Sequence, residues 1–153
     1  MNIDPKLDLL PPSELLANFD EKDRSALTAY GRFLLFKAGQ TIIREMEKQD
    51  SLYFLIRGEL RAVHKMQGGA APVGTIKEGE WFGEINIFDP KSSSAMVVAH
   101  TDSQAWSISR PKLEEFLNGH PDLGCLLLLG VGEVLARRTR DLVAKLNATW
   151  ELS

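Results

Sequence analysis

The stretch that decides the fold is GEWFGEINIFDPKSSSAMV, which runs from Gly79 to Val97. Two glycines bracket a bulky pair at its start, and an acidic residue, Glu84, follows at once. Asp89-Pro90 is a turn signal, after which three serines and a strand-like run carry the chain back. Glycine permits close backbone approach and positive φ. A loop of inward-facing amides before one helical turn can hold a phosphate, so the stretch predicts an anion-sized hollow.

Short apolar runs on both sides of this stretch have the length of β-strands and are separated by turn signals. They occupy residues 33–36, 41–43, 52–56, 59–64, 72–76, 95–99 and 104–109. Arg57-Gly58 predicts a tight reversal or bulge, and Gln67 to Ala70 predicts a turn. Eight or so short strands at regular spacing predict a closed all-β sandwich or barrel.

Helical patterns flank the strands. Ser13 and Asp20 are cap candidates for two short helices before the strands, and Pro111 to Asn118 predicts a short helix after them. Residues 123–147 then lack proline and are mostly strong helix formers. Leucines at 128, 135 and 142 recur every seven residues, which predicts a stripe that faces the core first and a helix–helix dimer seam second.

Composition bounds the class of protein. The 153 residues predict one domain, and the net charge of −3 argues against a nucleic-acid surface spread over all of it. The one cysteine, Cys125, cannot form an internal disulfide, and its apolar neighbours predict a buried thiol. No basic flank precedes an apolar run near the start, and the run from Leu123 to Gly132 is too short to span a membrane. We therefore expect a cytoplasmic protein.

The central stretch resembles the phosphate-binding cassette of cyclic nucleotide-binding domains, as found in catabolite activator proteins and protein kinase A regulatory subunits. Phe82-Gly83-Glu84 matches the family's triplet, and Ser93-Ser94-Ala95 stands where the family has arginine and two small residues. Further matches are at Gly39-Gln40, at 50–54 with Gly58, and at 78–80. The resemblance spans residues 14 to about 145.

The resemblance implies a mainly β fold, a jelly roll with short N-terminal helices and a long C-terminal helix. One domain would cover residues 1–153, with helices at about 13–30, the jelly roll at about 33–109 and the last helices at about 111–147. Amides of residues 83–86 would approach a cyclic phosphate, and the Glu84 carboxylate would accept from the ribose 2′-hydroxyl. The implied ligand-binding residues are Gly83, Glu84, Ile85, Asn86, Ser93, Ser94 and Ala95.

Three departures from the family pattern bear on function. Ser93 replaces the arginine that pairs with the cyclic phosphate, a charged hydrogen bond worth about 1.5–3 kcal/mol, or roughly ten- to a hundredfold in affinity. Lys91, two residues before Ser93, is expected to be a solvated loop residue, with the alternative that it reaches the phosphate as a point charge. Asn86 stands where alanine or glycine is usual, and Met46 where glycine is usual, so we expect a different backbone path at Met46.

The expected function is ligand sensing, with cyclic nucleotide binding weakened or altered and a signal passed through the last helix to a protein partner or second subunit. The alternative is a degenerate jelly roll that binds no nucleotide and serves as a dimerisation or docking module. Because the sequence stops at Ser153, no room is expected for a helix-turn-helix DNA-binding domain. No cofactor is implied, and a cyclic nucleotide is the candidate ligand.

Other candidate sites are weaker. His64, His100 and His120 are scattered and do not match the ligand set of metal-binding cupins. No nucleophile–base arrangement is visible, so we expect no enzyme. The basic cluster from Ala136 to Arg140 is expected to be a solvated face, with an adenine contact or partner surface as the alternative, and Trp150 is expected to pack on the surface.

Overall fold

The chain folds into two four-stranded antiparallel sheets. The computed structural model describes residues 8–89, 93 and 95–151, with the side chains of 85 and 86 left aside. Within them the strands are β1 (Arg32–Phe36), β2 (Thr41–Ile43), β3 (Ser51–Arg57), β4 (Leu60–Met66), β5 (Gly69–Ile76), β6 (Trp81–Phe82), β7 (Met96–Ala99) and β8 (Ser103–Ser109). One sheet has the order β1-β8-β3-β6 and the other the order β2-β7-β4-β5. The predicted jelly-roll fold is confirmed.

Strand β3 divides the core in two. Because successive side chains of a strand point to opposite faces, Leu52, Phe54 and Ile56 share one face, whereas Tyr53 and Leu55 share the other. The first three pack with residues of the helices and the N-terminal segment. The other two pack with the second sheet, inside the sandwich. Sheet β1-β8-β3-β6 is therefore covered on both sides, which explains why β3 is buried at five consecutive positions, 52–56.

Four helices surround the sandwich among the described residues. They are α1 (Glu21–Thr28), α2 (Glu84–Phe88), α3 (Arg110–Gly119) and α4 (Pro121–Glu151). The helix expected after Ser13 is absent, since residues 13–19 form hydrogen-bonded turns instead, such as Leu16 N–H to Ser13 O at 3.1 Å. The cap expected at Asp20 is confirmed: its carboxylate accepts from Asp23 N–H at 2.8 Å, and Asp23 returns the bond in a capping box.

Removing the Asp20 cap has a modest expected cost. An alanine in its place leaves the Asp23 amide without its capping acceptor, a loss of about 1 kcal/mol in the free energy of unfolding. Chemical denaturation of Asp20→Ala beside Asp102→Asn measures it. Asp102 accepts from Ala38 N–H in an exposed loop, and asparagine keeps that acceptor. A drop of equal size in both variants would contradict a specific role for the cap.

The rotation of α4 differs from the sequence expectation. Leu127 and Val131 are buried, whereas Leu128 and Leu142 are 41% and 61% exposed, so the seven-residue leucine stripe is not mainly a core-facing one. Two glycines set this rotation. A Cβ at Gly124 would lie 2.7 Å from Leu117, and one at Gly130 would lie 2.6 Å from a backbone oxygen of the N-terminal segment. Both glycines therefore face inward, and Leu128 and Leu142 turn outward, whereas Leu135 between them is partly buried against the core.

Two further expectations were wrong. Cys125 is exposed rather than buried, because it follows the inward-facing Gly124 by one residue and so points about 100° away around the helix. Met46 does not avoid the conformation of a glycine. Its φ is 68°, in the left-handed region that glycine favours. Its side chain is exposed, so no neighbouring residue among those described packs against it closely enough to exclude this conformation.

Candidate functional site

A cavity of about 690 Å³ lies between the second sheet and the stretch that leads into α2. We call it the central cavity. Its apolar wall includes Ile43, Ala62, Val73, Ile76 and Val97 from the strands, and its rim includes Phe82, Gly83, Glu84, Ser93, Ala95 and Arg138. The volume falls in the range of small-molecule sites. The hollow expected beside the second glycine of the central stretch is therefore present and open.

Gly83 fixes the path of the chain into the site. Its φ is 79°, a backbone conformation that residues other than glycine rarely adopt. A Cβ there would lie 2.7 Å from the carbonyl oxygen of Ser51. The chain therefore passes directly over β3 before α2 begins at Glu84. The bond from Ile87 N–H to Gly83 O, at 3.3 Å, closes the first turn.

Tyr53 and Phe82 support this corner from inside the sandwich. Their rings stack with centroids 4.9 Å apart and planes 12° from parallel. Burial raises the pKa of the Tyr53 hydroxyl above its ordinary value, although Arg32 and a hydrogen bond with Ser51 oppose that rise. Tyr53 therefore stays neutral at physiological pH and acts as a packing residue under Gly83.

Arg138 of α4 holds Glu84. Its guanidinium donates through Nη1 to Glu84 Oε1 and through Nη2 to the carbonyl oxygen of Trp81 at 2.7 Å. The Glu84 side chain is 13% exposed and that of Arg138 is 42% exposed, so the pair lies at the mouth of the cavity. The two residues are 54 positions apart in the chain. The expectation of a solvated basic face was wrong for Arg138.

Two backbone hydrogen bonds fix the position of Ser93. Its N–H donates to Glu47 O at 3.0 Å, and its carbonyl oxygen accepts from Met46 N–H at 2.9 Å. The residue is buried and lines the central cavity, as does Ala95. Ser93 is thus held at the cavity wall by the turn that contains Met46.

The other predicted site residues are placed only in part. Ile85 and Asn86 belong to α2, directly after Glu84, which lies at the rim. Ser94 and Lys91 lie outside the described residues. The geometry therefore brings together Gly83, Glu84, Ser93 and Ala95, and adds Arg138 from the basic cluster for which a ligand contact was only the alternative.

The charges around the cavity are mainly negative. Among the described lining residues, the charged side chains are those of Glu80, Glu84, Asp89 and Arg138. In the part of the chain that the structure describes, no group of three or more His, Cys, Asp or Glu residues could hold a metal ion. No described helix is both long and apolar enough to cross a membrane.

Comparison with known proteins agrees with this geometry. The profile of the cyclic nucleotide-binding domain matches residues 33–120, which is more than half of the chain. This chain belongs to the cyclic nucleotide-binding domain family. The match covers β1 to β8, the central cavity and α3, but it ends before Arg138.

Similar proteins include regulators. A CRP-like cAMP-activated global transcriptional regulator of Mycobacterium tuberculosis is 32% identical over 117 residues, covering 76% of this chain and 50% of the regulator. A cAMP-dependent protein kinase regulatory subunit of Aspergillus niger is 30% identical over 109 residues, covering 71% of this chain and 26% of the subunit. The chain thus spans half or less of these curated relatives.

The fold has close structural counterparts. A cyclic nucleotide-binding domain from Methylobacillus flagellatus superposes with a TM-score of 0.78 at 21% identity, covering 86% of this chain and 74% of the other. At that identity the likeness concerns the fold. The chain is a cyclic nucleotide-binding regulatory domain by family. The ligand of its central cavity depends on the residues that line that cavity.

Proposed function

We propose that this chain is a ligand-sensing regulatory domain, in which occupancy of the central cavity is passed to α4. The ligand is of the nucleotide type, and affinity for a cyclic phosphate is weakened because Ser93 replaces the family arginine. The observation that carries the proposal is the contact of Arg138 with Glu84, because it joins the ligand-facing carboxylate directly to α4.

Arg138 stands at the end of the part of α4 that packs on the domain. Residues 139–151 are exposed at every position, whereas Val131 is buried and Val134 packs against the core. A ligand hydroxyl that binds Glu84 shares that carboxylate with the guanidinium. The ligand therefore changes the strength of this tether of the helix, and the exposed segment beyond it moves accordingly.

Removing the Arg138 side chain tests this coupling. We expect Arg138→Ala to release the second half of α4, with amide exchange of residues 134–142 at least threefold faster than in the unchanged protein. Arg140→Ala is the matched control, because Arg140 is an exposed arginine of the same helix and is not a lining residue of the cavity. Equal exchange in both variants would mean that the contact does not tether the helix.

Ligand binding itself is the direct test of the function. Calorimetry and thermal shift with nucleosides, cyclic mononucleotides and cyclic dinucleotides should give binding in at least one class. Amide exchange of α4 should change when the ligand is bound. The absence of binding in every class, or binding that leaves α4 unchanged, would remove the sensing function.

A second candidate, a dimerisation or docking module, is favoured by a separate feature of α4. Leu142, Val143 and Leu146 are each at least half exposed on the segment beyond Arg138. Gly132 lies earlier on the helix, where an added Cβ would meet nothing within 4 Å, so the packing of this chain does not require a glycine there. A glycine inside a helix costs about 1 kcal/mol relative to alanine. A second α4 that approaches closely would explain it, so we propose the homodimer as the first partner.

We propose that the whole chain is one domain and that its role is regulatory, as in the regulator and the regulatory subunit described above. A cytoplasmic location is supported by the single cysteine, because disulfide-free composition is typical of reducing compartments.

A further inference from the structure

The charge of the central cavity limits which ligand it accepts. Three carboxylates and one guanidinium line it among the described residues. A phosphate group that enters brings another negative charge beside Glu84, whose side chain is only 13% exposed. Like charges at the edge of a protein repel each other, because the effective dielectric constant there is well below that of water. Glu80 is exposed and its carboxylate accepts from Lys77 N–H, so it adds a weaker repulsion that solvent screens.

Arg138 does not offset that repulsion as a free arginine would. Both of its terminal nitrogens are engaged, one with Glu84 and the other with the carbonyl oxygen of Trp81. To bind a phosphate, the guanidinium must leave a carboxylate that is only 13% exposed, and the carboxylate then loses its charged partner. Separating a partly buried ion pair costs more free energy than an exposed ion pair contributes to stability.

The same cavity suits an uncharged ligand with hydroxyl groups. A carboxylate can accept about four hydrogen bonds, so Glu84 can receive ligand hydroxyls and still keep its bond with Arg138. The opposite wall carries Ile43, Val73, Ile76 and Val97, which offer an apolar surface for a planar ring. A hydroxyl-bearing sugar joined to a flat ring meets both surfaces without bringing in a charge.

We propose that the central cavity selects an unphosphorylated nucleoside over the corresponding cyclic nucleotide. This inference rests on the proposed function, because it names the ligand class of the same site. The ribose hydroxyls bind Glu84, and the base lies against the apolar wall. Because this ligand carries no phosphate, it needs no arginine at position 93. Arg138 keeps its contact with Glu84 while the nucleoside is bound and shares the carboxylate with the ribose hydroxyls.

Calorimetry on the full chain tests the inference with two matched pairs, adenosine with cAMP and guanosine with cGMP. We expect a nucleoside to bind at least tenfold more tightly than its cyclic nucleotide. Added salt should not weaken the binding of the cyclic nucleotide, because screening reduces the repulsion between its phosphate and the lining carboxylates. A cyclic nucleotide that binds as tightly as its nucleoside or more tightly would overturn the inference and leave the sensing function standing. If neither the nucleosides nor the cyclic mononucleotides bind, the inference fails, and the sensing function then depends on binding of the cyclic dinucleotides.

A variant at the rim gives a second test. Glu80→Gln removes one of the lining charges, keeps an acceptor for Lys77 N–H, and should raise affinity for the cyclic nucleotide about twofold to threefold, with a smaller change for the nucleoside. Glu115→Gln is the matched control, since Glu115 is an exposed residue of α3 that pairs with Lys112. An equal response to both substitutions, or none to Glu80→Gln, would contradict an electrostatic basis for the selection.

Discussion

Replacing Gly83 with alanine is expected to destabilise the domain by about 3 kcal/mol or more and to abolish ligand binding. The left-handed conformation at φ 79° costs an ordinary residue about 1–2 kcal/mol. The new Cβ would also lie 2.7 Å from the carbonyl oxygen of Ser51, and that oxygen belongs to the central strand β3 and cannot move aside freely. Urea denaturation measures the loss of stability, and calorimetry measures the loss of binding.

Gly79→Ala is the control for that experiment. Gly79 has a φ of 88°, but a Cβ there would meet nothing within 4 Å, so it shares the conformational strain and lacks the steric contact. We expect it to lose about 1–2 kcal/mol. The difference between the two variants isolates the contact of Gly83 with β3. If both variants lost the same free energy, the close approach would have no energetic role at the site.

The strands could be predicted from the sequence because each is a local pattern. Short apolar runs bounded by turn residues identified β1 to β5, β7 and β8 within a few residues of their ends. Strand β6 was missed because it has two residues, Trp81 and Phe82, which read as a bulky pair inside a loop. Their pairing with Tyr53 and Phe54 of β3 is a long-range contact that no local pattern contains.

The site could be predicted only where it is continuous in the chain. Gly83, Glu84, Ser93 and Ala95 lie within one stretch, and all four line the cavity. Arg138 belongs to a helix whose rotation is set by Gly124 and Gly130, and a sequence reading has no measure of which way those glycines face. The leucine stripe was expected to face the core and the cluster 136–140 to face solvent, whereas Leu128 is exposed and Arg138 contacts Glu84.

Restoring the family arginine at position 93 is expected to reverse the ligand preference. Ser93 lines the cavity, and its main chain is held on both sides by Met46 and Glu47, so a longer side chain begins from a fixed point. A guanidinium there offers a fork of donors to a phosphate, and the charged bond is worth about 1.5–3 kcal/mol. We expect Ser93→Arg to raise affinity for cAMP by roughly ten- to a hundredfold, as measured by calorimetry.

A matched substitution separates charge from bulk in this experiment. Ser93→Gln adds a long polar side chain without a positive charge, so it should leave cAMP affinity near that of the unchanged protein. Affinity gained through arginine should also fall as salt increases, because the new contact is an attraction between opposite charges. If Ser93→Arg and Ser93→Gln behaved alike and neither bound cAMP, position 93 would not control access of a cyclic phosphate, and if no nucleoside bound either, the docking function of α4 would become the better account. A gain confined to arginine would instead show that one side chain separates this cavity from a cyclic phosphate site, since the backbone that carries it is already in place.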